Sequence, residues 1–168
     1  MGRGKVSRVD ESLPASARNV QDALTAAGAI AEVRQLPIAA RTAAAAADAL
    51  GCEVGAIANS LIFMADDAPL LVMTSGAHRV AVHALARDLG KREIRRATPS
   101  EVRAATGQAI GGVAPIGHPA PIETVVDTDL QSYERIWAAA GTPHTVFSTT
   151  FEELLKLTGG AAMPVAER

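Results

Sequence analysis

Aromatic residues are scarce in this chain of 168 residues, and they make up only 3% of it. This scarcity excludes a core built around large rings, so Ala, Val, Leu and Ile must fill the interior. With 48% hydrophobic and 20% charged residues, the composition is still that of a globular protein. The length suffices to bury one such core, and we expect a single domain.

Cysteine is nearly absent, since the sequence contains only Cys52. One thiol excludes an intrachain disulfide and a cluster of thiolate metal ligands. A reducing, cytoplasmic location is the expectation that follows. Cys52 comes directly after Gly51 at a predicted helix end, where the helix dipole does not favour a thiolate. We therefore interpret Cys52 as structural.

Neither sign of charge dominates, because 16 Lys and Arg residues and 18 Asp and Glu residues leave a formal net charge of −2. This balance argues against a protein that coats a nucleic-acid duplex, and we expect no DNA partner. An enzyme that touches only the end of an RNA is compatible with it. The basic run from Lys91 to Arg96 fits either RNA phosphate contacts or a solvated edge, and the solvated edge is the simpler interpretation.

Long apolar runs are missing as well, and none approaches the length of a membrane span. The N-terminus is basic but has no apolar stretch behind it, so it does not resemble a signal peptide. We expect no membrane partner. The domain organisation that we predict is a flexible lead over residues 1–11, a folded domain over residues 12–160 and a flexible tail over residues 161–168.

Helix and strand signals alternate irregularly along the rest of the chain. Thr98-Pro99-Ser100-Glu101 is a strong helix start with a capping box, and the apolar runs on either side of Asp66-Asp67 predict a β-hairpin with an acidic tip. Helices are predicted at residues 14–27, 42–50, 82–89, 98–107 and 150–158, and strands at 29–36, 56–64, 69–74, around 94, and at 122–126, 136–140 and 145–148. This order predicts an α+β fold, with a mixed, curved sheet in one compact domain.

A glycine-rich loop, Gly111-Gly-Val-Ala-Pro-Ile-Gly117, is the most informative segment. Its glycines allow sharp turns and a close approach to a ligand, and successive exposed amides can hold an anion or a developing oxyanion. The loop matches neither a Walker loop nor a dinucleotide-binding fingerprint. A tight structural turn fits the same composition, which taken alone favours the turn.

Residues that commonly carry metal or nucleophilic chemistry form no recognisable set. The histidines, His78, His83, His118 and His144, include no His-x-x-x-His pair and do not accompany the cysteine, so no metal site is predicted. No serine lies in a G-x-S-x-G elbow. His118 follows the glycine loop and His144 follows Gly141, so each is either a pocket residue or a lone hydrogen-bonding residue.

Taken in order, several segments resemble the YbaK / prolyl-tRNA editing-domain family. The resemblance extends from about Ser16 to Gly160, and the glycine loop matches the family's G-x-x-x-P motif as Gly111 to Pro115. The other segments that carry it are Arg41–Ala43, Val54–Phe63, Leu71–Val80, Ala97–Gly107 and Gly141–Val146. The resemblance implies a barrel-like curvature of the sheet, flanked by helices. It also implies a free-standing aminoacyl-tRNA deacylase whose partner is the acceptor end of tRNA.

The chemistry that the resemblance implies is hydrolysis of the ester in a mischarged tRNA, with Ala or Cys on the tRNA for proline. Backbone amides around Gly111, Gly112 and Pro115 would stabilise the oxyanion, with no metal and no cofactor. A Gly112→Ala change is expected to abolish turnover and leave the fold intact. By position alone, the substrate-binding candidates are Thr42, Ser60, Met73, Ala114, Gly117 and His144.

Asn59 departs from the family pattern, because a lysine important for deacylation is usual at this position. Asparagine keeps hydrogen bonding but loses the cation. Asn59 is therefore a catalytic-site candidate with two interpretations. Either the chain is a variant with altered substrate contacts, or it is a weak or inactive member that binds an aminoacylated adenosine or a nucleotide-like ligand.

Overall fold

The structure is a computed structural model that describes residues 13–166. The lead predicted over residues 1–11 lies outside the described residues. Within the described range the chain forms helices α1 (Ala15–Ala26), α2 (Ala43–Leu50), α3 (Val82–Leu89), α4 (Pro99–Thr106) and α5 (Phe151–Thr158). Its strands are β1 (Arg34–Gln35), β2 (Ile57–Ala65), β3 (Ala68–Ser75), β4 (Ile94–Arg96), β5 (Glu123–Asp127), β6 (Ile136–Ala139), β7 (Thr145–Thr149) and β8 (Ala161–Met163). Short 3₁₀ turns cover Val54–Ala56 and Thr128–Ser132.

The strands form one mixed sheet, as the sequence predicts. Its order is β1-β7-β6-β2-β3-β5-β8, and β4 pairs separately with β2. The pairs β2–β6, β3–β5 and β5–β8 are parallel, and the remaining pairs are antiparallel. The end strands β1 and β8 do not pair with each other, so the sheet is open rather than a closed barrel.

Strand β2 has an unusual second edge. Its first edge pairs with β3 along its whole length, from Ala58 opposite Ser75 to Ala65 opposite Ala68. On the second edge, β6 reaches only Ile57 and Ala58, whereas β4 reaches only the last three residues of the strand. Residues 59–62 have no strand partner on that side within the described chain, and the sheet is open there.

Local signals set the ends of several elements as predicted. The Thr42 side chain accepts the Ala45 N–H at 3.1 Å to begin α2. At the start of α4, Thr98 and Glu101 form the expected capping box. Asp66 and Asp67 have φ values of 47° and 68° at the tip of the β2–β3 hairpin. A tip with two positive φ values suits the right-handed twist of paired strands.

The core is aliphatic, as the scarcity of aromatic residues requires. Phe63 and Phe147 are the largest fully buried side chains, and leucines, valines, Met73 and Ile136 fill most of the remaining interior. One large cluster joins α1, α4 and α5 to one side of the sheet, and smaller clusters lie beneath α3 and α2. Among the described residues, no helix is long and apolar enough to cross a bilayer.

The strand predicted at residues 29–36 shrinks to Arg34–Gln35, and Ile30 is 93% exposed. The side chain of Gln21 accounts for the difference. Its Oε1 accepts the Val33 N–H at 2.8 Å, and its Nε2 donates to the Ala31 carbonyl at 3.3 Å. Residues 31–33 therefore bond to helix α1, and only Arg34 and Gln35 pair with the neighbouring strand β7.

The flexible tail predicted from residue 161 is wrong for residues 161–166. Strand β8 pairs in parallel with β5, from Ala161 opposite Val125 to Met163 opposite Asp127. Val165 is 2% exposed, and its carbonyl accepts the Ala81 N–H at 2.8 Å. This pairing joins segments far apart in sequence, so no local signal announces it.

The folded tail gives a stability prediction. Val165→Asp should lower the free energy of unfolding by about 2 kcal/mol or more, because it removes a buried apolar side chain and places a carboxylate in its site. Ala161→Asp, on an exposed position of the same segment, is the control and should change stability by about 0.5 kcal/mol or less. Urea unfolding measures both, and equal small effects would mean that the segment is loosely attached.

Candidate functional site

A cleft of about 700 Å³ opens where residues 59–62 of β2 lack a strand partner. Strand β2 lines it along much of its length, with β6 on one side and the end of β4 on the other. The loop before α2, the start of the glycine loop and the turn after β3 complete its walls. The lining residues that the argument uses are Arg41, Thr42, Asn59, Ser60, His78, Arg79, Arg96, Gly111, Val113 and Trp137.

Asn59 and Ser60 lie where β2 is unpaired, and both are half-buried. The Asn59 side chain has no hydrogen-bond partner within residues 13–166, so its amide can bind a ligand. The Ser60 hydroxyl lies 3.2 Å from the sulfur of Met73, its partner on β3. Met73 is fully buried and does not line the cleft, so it contacts Ser60 from the neighbouring strand without reaching a ligand there.

The glycine loop presents only part of its backbone to the cleft. Gly111 and Val113 line it, whereas Gly112, Ala114 and Pro115 are buried behind them. The Ala114 N–H donates to the Gln108 side chain at 2.7 Å, and proline has no N–H to offer. The amides of Gly111 and Val113 have no partner within residues 13–166. If the loop holds an oxyanion, these two amides are its available donors.

Gly112 has a packing role that the sequence does not reveal. Its carbonyl accepts the Gly141 N–H at 2.9 Å, and a Cβ at this position would lie 2.4 Å from the Thr142 carbonyl carbon. The atoms that it would meet are backbone atoms of Thr142 and Pro143, which makes the collision costly to relieve. The expectation that Gly112→Ala leaves the fold intact is therefore wrong at this loop, and the variant is a poor test of catalysis.

Of the remaining substrate-binding candidates, one lines the cleft and three do not. Thr42 lines the cleft, although its hydroxyl already accepts the helix-capping bond. Gly117, Ala114 and His144 do not line it. Gly117 borders a separate cavity of about 220 Å³ behind the loop, and His144 is exposed between β6 and β7 with its carbonyl accepting the Leu36 N–H at 2.6 Å.

Three arginines at the cleft were not named as site residues from the sequence, although Arg96 belongs to the basic run that was weighed there as an RNA contact. Arg41, Arg79 and Arg96 all line it, and none has a carboxylate partner among the described residues. By contrast, two nearby cations are neutralised: Arg95 makes a bidentate pair with Glu101 at 2.9 Å, and Lys91 lies 3.2 Å from Glu123. The Arg95 guanidinium and the Thr98 N–H lower the pKa of Glu101 to about 2. The basic run thus mixes neutralised cations with one free cation at the cleft.

His78 links the turn after β3 to the end of β5. Its Nδ1 lies 2.9 Å from Asp127, which is 1% exposed, and its Nε2 lies 3.1 Å from Asp129. Asp127 also accepts the Ser75 N–H at 3.0 Å. These three side chains could offer ligand atoms within 4.8 Å of one another. However, the histidine turns a different nitrogen to each carboxylate, and these polar contacts connect the turn carrying Arg79 to the end of β5.

Comparisons with known proteins fit this architecture. Residues 38–157 match the family described as the aminoacyl-tRNA editing domain, and the chain belongs to that family. A solved structure described as "a putative trans-editing enzyme for prolyl tRNA synthetase" is 44% identical, with a TM-score of 0.89 and coverage of 94% of this chain and 100% of that one.

Two curated relatives are more distant. The "Putative Cys-tRNA(Pro)/Cys-tRNA(Cys) deacylase EbsC" of Enterococcus faecalis (strain ATCC 700802 / V583) is 27% identical over 120 residues, which are 71% of this chain and 73% of the relative. The uncharacterised protein YwhH of Bacillus subtilis (strain 168) is 27% identical over 124 residues, which are 73% of this chain and 78% of the relative. The resemblance found in the sequence is thereby confirmed at the level of the family.

His118 gives a pH prediction for the loop. Its Nε2 lies 2.8 Å from the Ala114 carbonyl, and burial lowers its pKa below the ordinary 6.5 more than this hydrogen bond raises it. As the pH falls through 6.5, His118 therefore takes up a proton more readily in the unfolded chain than in the folded chain. Stability contributed by neutral His118 is present above that pH and is lost below it.

We expect wild-type protein to lose more stability than His118→Gln between about pH 7.5 and 5.5, because glutamine can still donate to the Ala114 carbonyl but does not titrate. Urea unfolding at several pH values measures the difference, and the other titrating groups are common to both proteins. Parallel pH profiles would show that His118 does not contribute.

Proposed function

We propose that this protein hydrolyses the ester that joins a mischarged amino acid to the 3′-terminal adenosine of tRNA, with Ala or Cys on the tRNA for proline as the substrate. The observation that carries the proposal is one cleft that combines the loop amides of Gly111 and Val113 with three unpaired arginines. Amides suit a developing oxyanion, and guanidinium groups suit phosphates. Membership of the editing-domain family supports the same chemistry.

The reaction can be written for the residues present. Water attacks the ester carbonyl carbon, and the Gly111 and Val113 amides stabilise the negative charge on its oxygen. The bond to the ribose oxygen then breaks, and the proton from water passes to that oxygen, which leaves free amino acid and tRNA. The ester is already activated, so positioning supplies much of the rate, and the substrate's ribose hydroxyl can assist proton transfer. This scheme uses no cofactor.

The interior of the cleft supports a small amino acid. Beside Asn59 and Ser60 it is lined by Ala58, Ala138 and Ala139, of which the first and second are 1% exposed. Alanine side chains leave room for a methyl or thiol group and have no polar atoms that would need a hydrogen-bond partner. The Asn59 amide, free of internal partners, is in position to accept or donate a hydrogen bond to the bound end of the substrate.

The arginines support binding of the acceptor end rather than a whole duplex. Arg41 belongs to the loop before α2, and its side chain lies beside Gly111, where a Cβ would be 3.9 Å from the Arg41 Cγ. Arg79 follows β3, and Arg96 ends β4 with its guanidinium 5.7 Å from the Phe63 ring centroid. Three cations around one cleft can follow a short single strand, although the net charge of the chain is −2.

The first test is deacylation of alanyl-tRNA and cysteinyl-tRNA for proline by wild type and Asn59→Lys. We expect turnover by wild type, and an increase in kcat on restoring the cation. An inactive wild type with an active Asn59→Lys would mean that the scaffold is competent but that this chain has lost the reaction. Inactivity of both, with binding of an aminoacylated adenosine detected by calorimetry, would replace the proposal with a binding function.

The second test compares neighbouring arginines on β4. Arg96→Gln should raise KM for the aminoacyl-tRNA and make the slope of log affinity against log salt shallower by about 0.7, the value for one contact to a single strand. Arg95→Gln removes a cation of the same type that already pairs with Glu101, so KM should stay within about twofold of wild type. Equal effects of the two variants would contradict a specific role for Arg96.

A further inference from the structure

Gln108 is a buried polar residue behind the glycine loop, and it is 3% exposed. It lies directly after Gly107, the residue that ends α4. Its backbone is fixed by Thr106, whose hydroxyl accepts the Gln108 N–H at 3.0 Å and lies 3.1 Å from the Gln108 carbonyl. That hydroxyl also donates to the Val102 carbonyl at 2.7 Å, so the glutamine is anchored to the helix.

The side-chain amide of Gln108 bonds to the loop at two points. Its Oε1 accepts the Ala114 N–H at 2.7 Å, and its Nε2 lies 3.4 Å from the Ile116 carbonyl. His118 bonds to the other polar group of the same alanine, since its Nε2 lies 2.8 Å from the Ala114 carbonyl. Side chains from the far side of the loop therefore hold both peptide groups that flank Ala114.

Fixing these peptides determines what the loop presents to the cleft. Each peptide unit is planar, so holding the Ala114 N–H also fixes the Val113 carbonyl and the direction in which the chain arrives at Ala114. Val113 lines the cleft, whereas Gln108 borders only the cavity behind the loop. A rotation of this unit would move Val113, one of the two residues whose amides are free.

We infer that Gln108 is a positioning residue for the reaction, acting through Ala114 to hold the glycine loop in the geometry that hydrolysis requires. The inference rests on the proposed function. Gln108 does not border the cleft, so it acts without touching the substrate. Its role predicts an effect on kcat and little effect on KM, because the arginines that bind the tRNA end are on other segments.

The test compares Gln108→Met with Gln108→Glu. Methionine fills similar space but accepts no strong hydrogen bond, and glutamate keeps the acceptor for the Ala114 N–H. We expect Gln108→Met to lower kcat by about 10²-fold with KM within about twofold, the scale of a misplaced catalytic group. Gln108→Glu should retain kcat within about fivefold of wild type, as expected if the acceptor carries the effect.

Gln21 offers a matched control. It makes the same pair of contacts, with Oε1 accepting the Val33 N–H at 2.8 Å and Nε2 donating to the Ala31 carbonyl at 3.3 Å, but on a segment outside the cleft. Gln21→Met should lower thermal stability as Gln108→Met does and leave kcat unchanged. A wild-type kcat in Gln108→Met, or an equal loss of kcat in Gln21→Met, would overturn the inference.

Amide hydrogen exchange at Ala114 separates this inference from the proposed function. The Ala114 N–H should be protected in wild type and Gln108→Glu and should exchange at least about tenfold faster in Gln108→Met. If this exchange pattern is found but the wild type has no deacylase activity, the Gln108–Ala114 contact stands and the proposed function is rejected. Unchanged protection in Gln108→Met would reject the contact whatever the activity.

Discussion

The interrupted pairing of strand β2 is the constraint on which the site depends. β3 holds one edge of this nine-residue strand by continuous antiparallel pairing from Ala58 to Ala65. The other edge is shared by β6, which runs parallel to it, and β4, which runs antiparallel, and each reaches only one end. A strand paired along both edges would close the sheet, whereas this one leaves Asn59 and Ser60 facing a cleft while their backbone remains ordered.

The glycine loop forms part of another wall of the cleft. Hydrogen bonds to its buried backbone groups, rather than strand pairing, hold this loop in place. A buried N–H or carbonyl without a partner is costly, and the groups at the centre of the loop have one: the Gly112 carbonyl bonds to Gly141, and both groups of Ala114 bond to side chains. The amides of Gly111 and Val113, two loop residues that border the cleft, have no partner among the described residues. Bonds on the far side of the loop hold its backbone, and under the proposed function these two amides would stabilise the developing anion.

Sequence signals predicted the parts of this structure that depend on neighbours in the chain. The capping box of α4, the hairpin tip at Asp66 and the alanine-rich helix α2 are local, and each lies where the sequence predicts it. Strand β1 was predicted too long and the ordered β8 was missed, because they depend on Gln21 and on strand β5, respectively.

Several residues predicted for the site line the cleft, and their roles stay predictions. Asn59, Ser60, Thr42 and Gly111 all line the cleft. The family motif singled out Gly111, whereas the other three came from their positions within the segments that resemble the family. Arg95 and Arg96 are adjacent in sequence, and nothing in their order reveals that one pairs with Glu101 while the other lines the cleft. Gln108 carries no recognisable motif, so its contact with Ala114 is visible only in three dimensions.

The positions of the three cleft arginines bear on the absence of a lysine at residue 59. A cation on the strand floor would act on the reacting end of the substrate, where the charge of the transition state develops. The unpaired arginines stand instead on three separate segments around the cleft, which suits phosphates. Under the proposed function, these cations would attract the substrate and its transition state alike, and so would raise affinity without accelerating the chemical step. The proposal therefore assigns transition-state stabilisation to the loop amides and makes it depend on the residues that hold them in place.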